Sequence, residues 1–418
     1  MSFRSHSVIC SGRAGGVRDR LLVRWLSGGP LKSLLVLLLV MALVFCPGLS
    51  ASILAEGDWE TTPESEAALA RGLEWLAKNQ GPEGNWESND LGLVGMGTLA
   101  FLSAGHSPGR GKYGQVVKKS LDYLVNKAQP SGKLNIADGQ RDMYNHGLAT
   151  FVLGQAYGMT STPDRRMGTV LANALKLIAN TQCDDGGWDY RAARQASGHD
   201  LSLAVMQAKA LRSAMDSGLE VPPEVIDSAI RSVREHYTPR DGRRSAPESE
   251  QQRVPGQFTY NKGGGNGTIA MAACGVVCLQ EFGQYDDWRI EKNMTVIGEA
   301  IRPLKKPQQR DGTMPFDAYT LYYVGQALYQ VNGKHWQDHY PTLRDFLTAS
   351  QVVNGANTAS HGMWQDRGTG GGGRVGGKPG QLYATSVACF ILAMPNRYLP
   401  ILQDGRIETL KQQSKSGL

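Results

Sequence analysis

One pattern is written six times along this chain: an apolar helical stretch, a turn rich in Gln, Gly and an aromatic, then a second and more apolar helical stretch. Leu73–Gln80 precedes Leu91–Leu102, Leu121–Gln129 precedes His146–Tyr157, and Leu175–Gln182 precedes Leu201–Leu211. Ile230–Tyr237 precedes Thr268–Leu279, Ile297–Leu304 precedes Tyr319–Tyr329, and Leu343–Gln351 precedes Leu382–Leu392. Gln80, Gln129 and Gln182 stand 49 and 53 residues apart. A period of that length with two helices per unit is the mark of a repeat architecture, because a single helix pair cannot bury its own apolar face. The second stretch of each unit is rich in Gly, Ala, Ser and Thr and nearly free of charge, as in Leu201–Ala204 and Thr268–Ala273. Such helices must be enclosed on all sides. The first stretches carry charge on one face. The expected fold is therefore all-α, an α/α toroid of about six helix pairs, with inner helices ringed by outer ones.

Three segments are expected. Residues 1–55 form a basic N-region with a signal peptide or N-terminal anchor, 56–403 form one toroid domain, and 404–418 form a polar tail. The first fifty residues hold six basic side chains and one acid, followed by the apolar run Leu34–Cys46 and then Pro47 and Gly48. That is the order of an export signal. The run is shorter than the roughly 20 residues of a membrane span, so export with cleavage near Ala51 is favoured over an anchor at 31–50, and membrane contact is expected only there. The remaining chain has 38 basic and 37 acidic residues. A body this neutral lacks the basic footprint that nucleic acid requires. The body's Cys183, Cys274, Cys278 and Cys389 show no Cys-x-x-Cys spacing. They read as small buried hydrophobes rather than a zinc set.

Gln80-Gly81-Pro82-Glu83-Gly84-Asn85-Trp86, Gln182-Cys183-Asp184-Asp185-Gly186-Gly187-Trp188 and the looser Gln351…Gly362-Met363-Trp364 resemble the Gln-Trp repeats of the α/α-toroid superfamily of protein prenyltransferase β-subunits and squalene/hopene-type cyclases. The resemblance covers residues 60–402 and is nearest to the exported bacterial repeat proteins of that group. It implies the fold, and a structural role for the Gln, Gly and Trp. It does not carry the group's chemistry. Where the zinc prenyltransferases place Asp-x-Cys and then His, this chain has Asp317, Tyr319 and Ala384, so two of three ligands are absent and no metal or cofactor is expected. Where the cyclases place Asp-x-Asp-Asp, this chain has Ser197-Gly198-His199-Asp200, without the proton-donating Asp.

Candidate site residues remain. His146, Asp200 and Asp317 fall at the starts of inner helices, which a ring gathers at one end. They form either a polar collar that binds or catalyses, or N-caps and inter-repeat hydrogen bonds. Tyr144, His199, Tyr319, Tyr322, Tyr323 and Tyr383 are the candidate ligand-binding residues, with core packing as the other reading for the tyrosines. Gly376-Gly377-Lys378-Pro379 lacks the strand and the Ser/Thr of a phosphate loop, and Gly368–Gly380 reads as a loop. The expected function is binding: an apolar, isoprenoid-like ligand in the cavity, or an envelope protein or glycan at the rim. The alternative is an enzyme with an unfamiliar acid/base collar, either terpenoid cyclase-like or a polysaccharide lyase or hydrolase, the last by analogy of fold.

Overall fold

The computed structural model describes residues 59–160, 164–265, 267–366 and 377–403. The export, anchor and tail expectations fall outside these residues. The repeats lie in a compact unit that begins at Glu60. No helix among the described residues is long and apolar enough to cross a membrane.

Among the described residues, twelve long helices alternate between two roles. The outer set is α1 (Pro63–Lys78), α3 (Gly114–Asn126), α5 (Arg165–Thr181), α7 (Pro223–Arg234), α10 (Trp288–Ile301) and α12 (Gly333–Ser350). The inner set is α2 (Leu91–Ser103), α4 (Asp142–Gly158), α6 (Leu201–Asp216), α9 (Ile269–Glu281), α11 (Ala318–Val331) and α13 (Gly377–Ala393). Each inner helix packs against the next in that order, and α13 returns to pack against α2. The six inner helices therefore close into a ring, and the α/α toroid is established by the packing itself. Most of α2, α4 and α9 is buried all round, whereas α5 and α7 bury a single stripe. That difference is the one between enclosed and surface helices.

The Gln-Trp turns fasten this ring. In three repeats the indole N–H donates to a carbonyl of the preceding outer helix: Trp86 to Leu76, Trp188 to Ile178 and Trp364 to Leu347, at 2.8, 2.9 and 3.0 Å. The Gln amide donates forward to the start of the next outer helix. Gln80 reaches Val116 O at 2.9 Å, Gln182 reaches Val225 O at 2.9 Å, and Gln351 reaches Ala68 O in the first helix at 2.8 Å. The last repeat thus hands on to the first with the same bond that joins the others. The motif glycine permits the close approach. Gly362 sits at φ +95°, and a Cβ there would stand 2.4 Å from the backbone oxygen of Arg71.

The polar stretch between Tyr237 and Thr268, residues 238–267, contains structure in its described residues. β1 (Tyr237–Pro239) pairs antiparallel with β2 (Gly256–Phe258), and the short α8 (Glu248–Gln251) lies between them. Phe258 is fully buried, its N–H donates to Asn293 Oδ1 at 2.9 Å, and its ring lies against Gly275 of α9. The hairpin is thereby held against the ring. The helix at the far end of the Gly-rich stretch begins at Gly377, three residues before the expected loop ends.

Candidate functional site

Four inner helices open on a capping side chain. Asp90, Asp200, Thr268 and Asp317 each accept the backbone N–H three residues on, at 3.0 to 3.2 Å. Asp317 goes no further than its cap, since its other oxygen accepts from the hydroxyl of Thr320 at 2.6 Å. His146 is held elsewhere. Both its ring nitrogens are committed to backbone: Nδ1 accepts from the N–H of Leu134 at 3.1 Å, and Nε2 donates to the carbonyl of Ala174 on outer α5 at 3.1 Å. It faces the outer helix and is completely buried. His146 and Asp317 are thus committed to local hydrogen bonds, and among the described residues neither shares one with Asp200.

Asp200 is different. Its side chain is fully buried and gathers donors beyond its cap. Oδ1 accepts from the Ser202 hydroxyl, and Oδ2 accepts from Tyr190 OH and from His199 Nδ1, the last at 3.2 Å. Two chains of hydroxyls run outward from it. Tyr190 OH meets Tyr260 OH, and Ser202 Oγ meets Tyr144 OH. The rings of Tyr144 and Tyr190 lie 5.6 Å apart, and those of Tyr190 and His199 lie 4.4 Å apart. Tyr260 is 37% exposed and the His199 side chain 49% exposed. Burial, with the Asp200 charge nearby, holds the Tyr144 and Tyr190 phenols well above their ordinary range. They stay neutral, each able to donate and accept.

Of the sequence candidates, Tyr144, His199 and Asp200 come together here. Ser202, Tyr190 and Tyr260 were missed. Tyr190 follows the motif Trp188 by two residues, and Tyr260 follows the buried Phe258 by two. Tyr260 comes from the 238–265 insertion, whose Tyr260 carbonyl accepts the N–H of Leu201 at 3.1 Å. The insertion therefore helps build the mouth.

Deeper in, the lumen is filled. Tyr323 OH meets Met206 Sδ at 3.0 Å, and the Tyr322 ring packs on Tyr323 and Phe390 at 4.9 and 5.5 Å. Lys209 Nζ stands 4.2 Å from the Phe151 ring centre. Lys209, Tyr322 and Tyr323 are at most 1% exposed, so the space beside them does not admit even a water molecule. Tyr322 and Tyr323 are plug residues in this structure, not the lining of an open cavity. Tyr319 is half-buried above the plug, its hydroxyl 3.4 Å from Cys274 Sγ, and Tyr383 is 8% exposed. The four body cysteines are buried free thiols.

Two buried histidines give a pH dependence. Burial pulls His146 down to about 4, and His236, whose Nδ1 donates to Thr259 O at 3.2 Å, also to about 4. In the unfolded chain both titrate near 6.5. Between those values the unfolded state binds more protons, so stability is complete above pH ~6.5 and falls as pH drops toward ~4. Unfolding free energies from denaturant titrations at pH 7, 6 and 5 are expected to decline, by at most about 1.4 kcal/mol per pH unit for each histidine. A flat profile through this window would mean that these rings are protonated in the fold.

Among solved structures, the chain is similar to a variant of a type II terpene cyclase from Scytonema in complex with geranylgeranyl dihydroxybenzoate, its substrate. The likeness has a TM-score of 0.32 and 12% identity, and covers 80% of this chain and 98% of that one. No protein-family model and no curated protein matches the chain.

Proposed function

We propose that the chain is an exported α/α toroid that binds a polyhydroxylated ligand, a glycan, at the mouth formed by the inner-helix starts. The observation that carries this reading is the convergence of Tyr144, Tyr190, Tyr260, Ser202 and His199 on the one buried carboxylate of Asp200. Sugar hydroxyls need paired donors and acceptors, and sugar rings lay their C–H faces on aromatic rings; neutral phenols beside an oriented imidazole supply both. An isoprenoid-like ligand in the lumen would instead have to displace Tyr322, Tyr323 and Lys209. Export rests on the order of the first fifty residues. Zinc-dependent prenyl transfer and cyclisation through Asp-x-Asp-Asp are set aside because this chain lacks their residues.

Calorimetric titration of the full-length protein with soluble cell-envelope oligosaccharides tests the reading. Binding is expected, and Tyr190→Phe, which removes one hydroxyl from the relay, should weaken it about tenfold. Affinity unchanged in Tyr190→Phe would place the ligand elsewhere. Apolar mass recovered by organic extraction, with no glycan bound, would return the search to the lumen.

One observation favours a second, enzymatic reading. With Nδ1–H given to Asp200, His199 turns its Nε2 lone pair outward, as an oriented general base does. Two-carboxylate glycoside hydrolysis needs a second acid, and the hydrogen-bonded cluster holds Asp200 alone among the described residues. Release of shorter fragments from a bound glycan, lost in His199→Ala, would make the mouth an active site.

A further inference from the structure

Away from the mouth, one cluster of buried donors meets no acceptor. Where the 238–265 insertion folds back on α10, a pocket of about 400 Å³ is bordered by Arg234, Glu248, Tyr285, Asp286, Trp288 and Arg289. The size suits a small molecule. Tyr237 packs behind it, its ring edge-on to Trp288 at 4.9 Å. The Arg289 guanidinium stands 4.4 Å from the Trp288 ring centre and 5.8 Å from that of Tyr237. Tyr237 and Arg289 are 3% and 5% exposed. In these three adjoining side chains the Tyr237 hydroxyl, the Trp288 indole N–H and the Arg289 Nε–H are buried without a hydrogen-bond partner among the described residues. Native folds rarely leave a buried donor unmet, because the lost hydration is not recovered. Burial pushes the Tyr237 phenol up to about 12, so it keeps its proton at neutral pH. All three groups can donate, and an acceptor is what the cluster lacks.

The other bonds of Arg289 show which acceptor fits. Nη1 donates to Asp287 at 3.1 Å, and Nη2 donates to the carboxylate of Glu248. Glu248 opens α8, none of whose residues is buried, and its side chain is 60% exposed. Gln251, at the far end of α8, bonds only within the insertion, to Arg244 O and Ala246 O at 2.9 and 2.7 Å. A buried guanidinium is thus covered by a carboxylate on a single exposed turn, and an ion pair with an exposed partner is exchanged at little cost. Apart from Glu248, the charges here are Arg234, Arg289, Asp287 and Asp286. Asp287 is buried between the two arginines, and Asp286 is exposed at the rim, where water screens it. Two cations against one buried anion suit a singly charged carboxylate better than a phosphate dianion.

We propose that this pocket binds a small carboxylate-bearing molecule, which takes the place of Glu248 on Arg289, accepts from the Tyr237 hydroxyl, and lays its apolar part on the Tyr285 and Trp288 rings. α8 moves aside as it enters. The site is independent of the mouth and of the glycan reading.

Full-length protein is titrated calorimetrically with butyrate and with inorganic phosphate at fixed ionic strength. Saturable binding of butyrate, and none of phosphate, is expected. Glu248→Gln removes the resident charge and should tighten butyrate about threefold. Tyr237→Phe should weaken it about tenfold. The hydroxyl removed has no partner in the ligand-free protein, so the denaturant midpoint of Tyr237→Phe should stay at the wild-type value, and lost affinity is then not lost folding. The proposal is overturned if butyrate binds neither the wild type nor Glu248→Gln, if phosphate binds in its place, or if Tyr237→Phe keeps full affinity. A lowered midpoint in ligand-free Tyr237→Phe would show that the hydroxyl is already partnered, and would overturn it as well.

Discussion

Truncating Glu281 to Ala is expected to lower the unfolding free energy by about 3–5 kcal/mol, because it leaves the Lys209 ammonium in the ring centre without its counter-charge. Lys209 is completely enclosed, 3.3 Å from Glu281 Oε1 and over the Phe151 ring, with Gln326 accepting a second hydrogen bond. Burial already pulls the Lys209 pKa down, against the pull of Glu281. Losing the proton is the escape route, at about 1.4 kcal/mol for each unit between its ordinary pKa and the working pH. That route caps the penalty near the top of the stated range. The pair is not expected to be a net source of stability: Lys209→Met with Glu281→Leu should be neutral, or more stable by about 1–4 kcal/mol. Guanidinium denaturation of the two variants checks both statements. A cost below about 1 kcal/mol for Glu281→Ala would mean that water reaches Lys209 and that the lumen is not sealed.

The same burial explains what could be read from sequence and what could not. Inner helices were legible because they are apolar on every face. The expected Leu91–Leu102 meets the observed Leu91–Ser103, and Thr268–Leu279 meets Ile269–Glu281. Outer helices were located by their apolar ends only. α1 begins at Pro63, ten residues before the Leu73 expected, since its first turns carry Glu64 and Glu66 and are set by the Thr62 cap rather than by burial. The strands of the 238–265 insertion are three residues each, too short for alternation to register.

For the site, geometry decided what pattern could not. Tyr144 and His146 are two residues apart on α4, about 200° around the helix, so a Tyr144 that faces the mouth sends His146 to the outer layer. Tyr319, Tyr322 and Tyr323 share a face by their three- and four-residue spacing, as the sequence suggested. Whether that face lines a void or fills it depends on the ring diameter, which no single helix encodes. Tyr260 had no local signal. It reaches Asp200's network only because Phe258 is anchored under it.

Trp364→Ala is expected to cost about 3–5 kcal/mol, the range for a fully buried Trp, and to act on the seam where the ring closes. Trp364 is fully buried, donates to Leu347 O at 3.0 Å, and lies so near α1 that a Cβ on Gly72 would stand 3.0 Å from its Cζ3. Gln351, Arg71 and Trp75 complete the seam through bonds to Ala68 O, Gln351 Oε1 and Ala359 O at 2.8, 2.8 and 2.7 Å. In an open repeat array, a lesion at the last unit frays that unit alone. In a closed ring it frees both ends, so amide exchange should rise in α1 and α2 as well as in α12 and α13, with α5 and α6 on the far side less affected. Trp364→Phe keeps much of the ring area but loses the indole donor, and should cost less than the Ala variant while still exposing Leu347 O. Exchange confined to the C-terminal repeat would mean that the contacts between α13 and α2 do not act as a fastening, and that the toroid behaves in solution as an open coil of helix pairs.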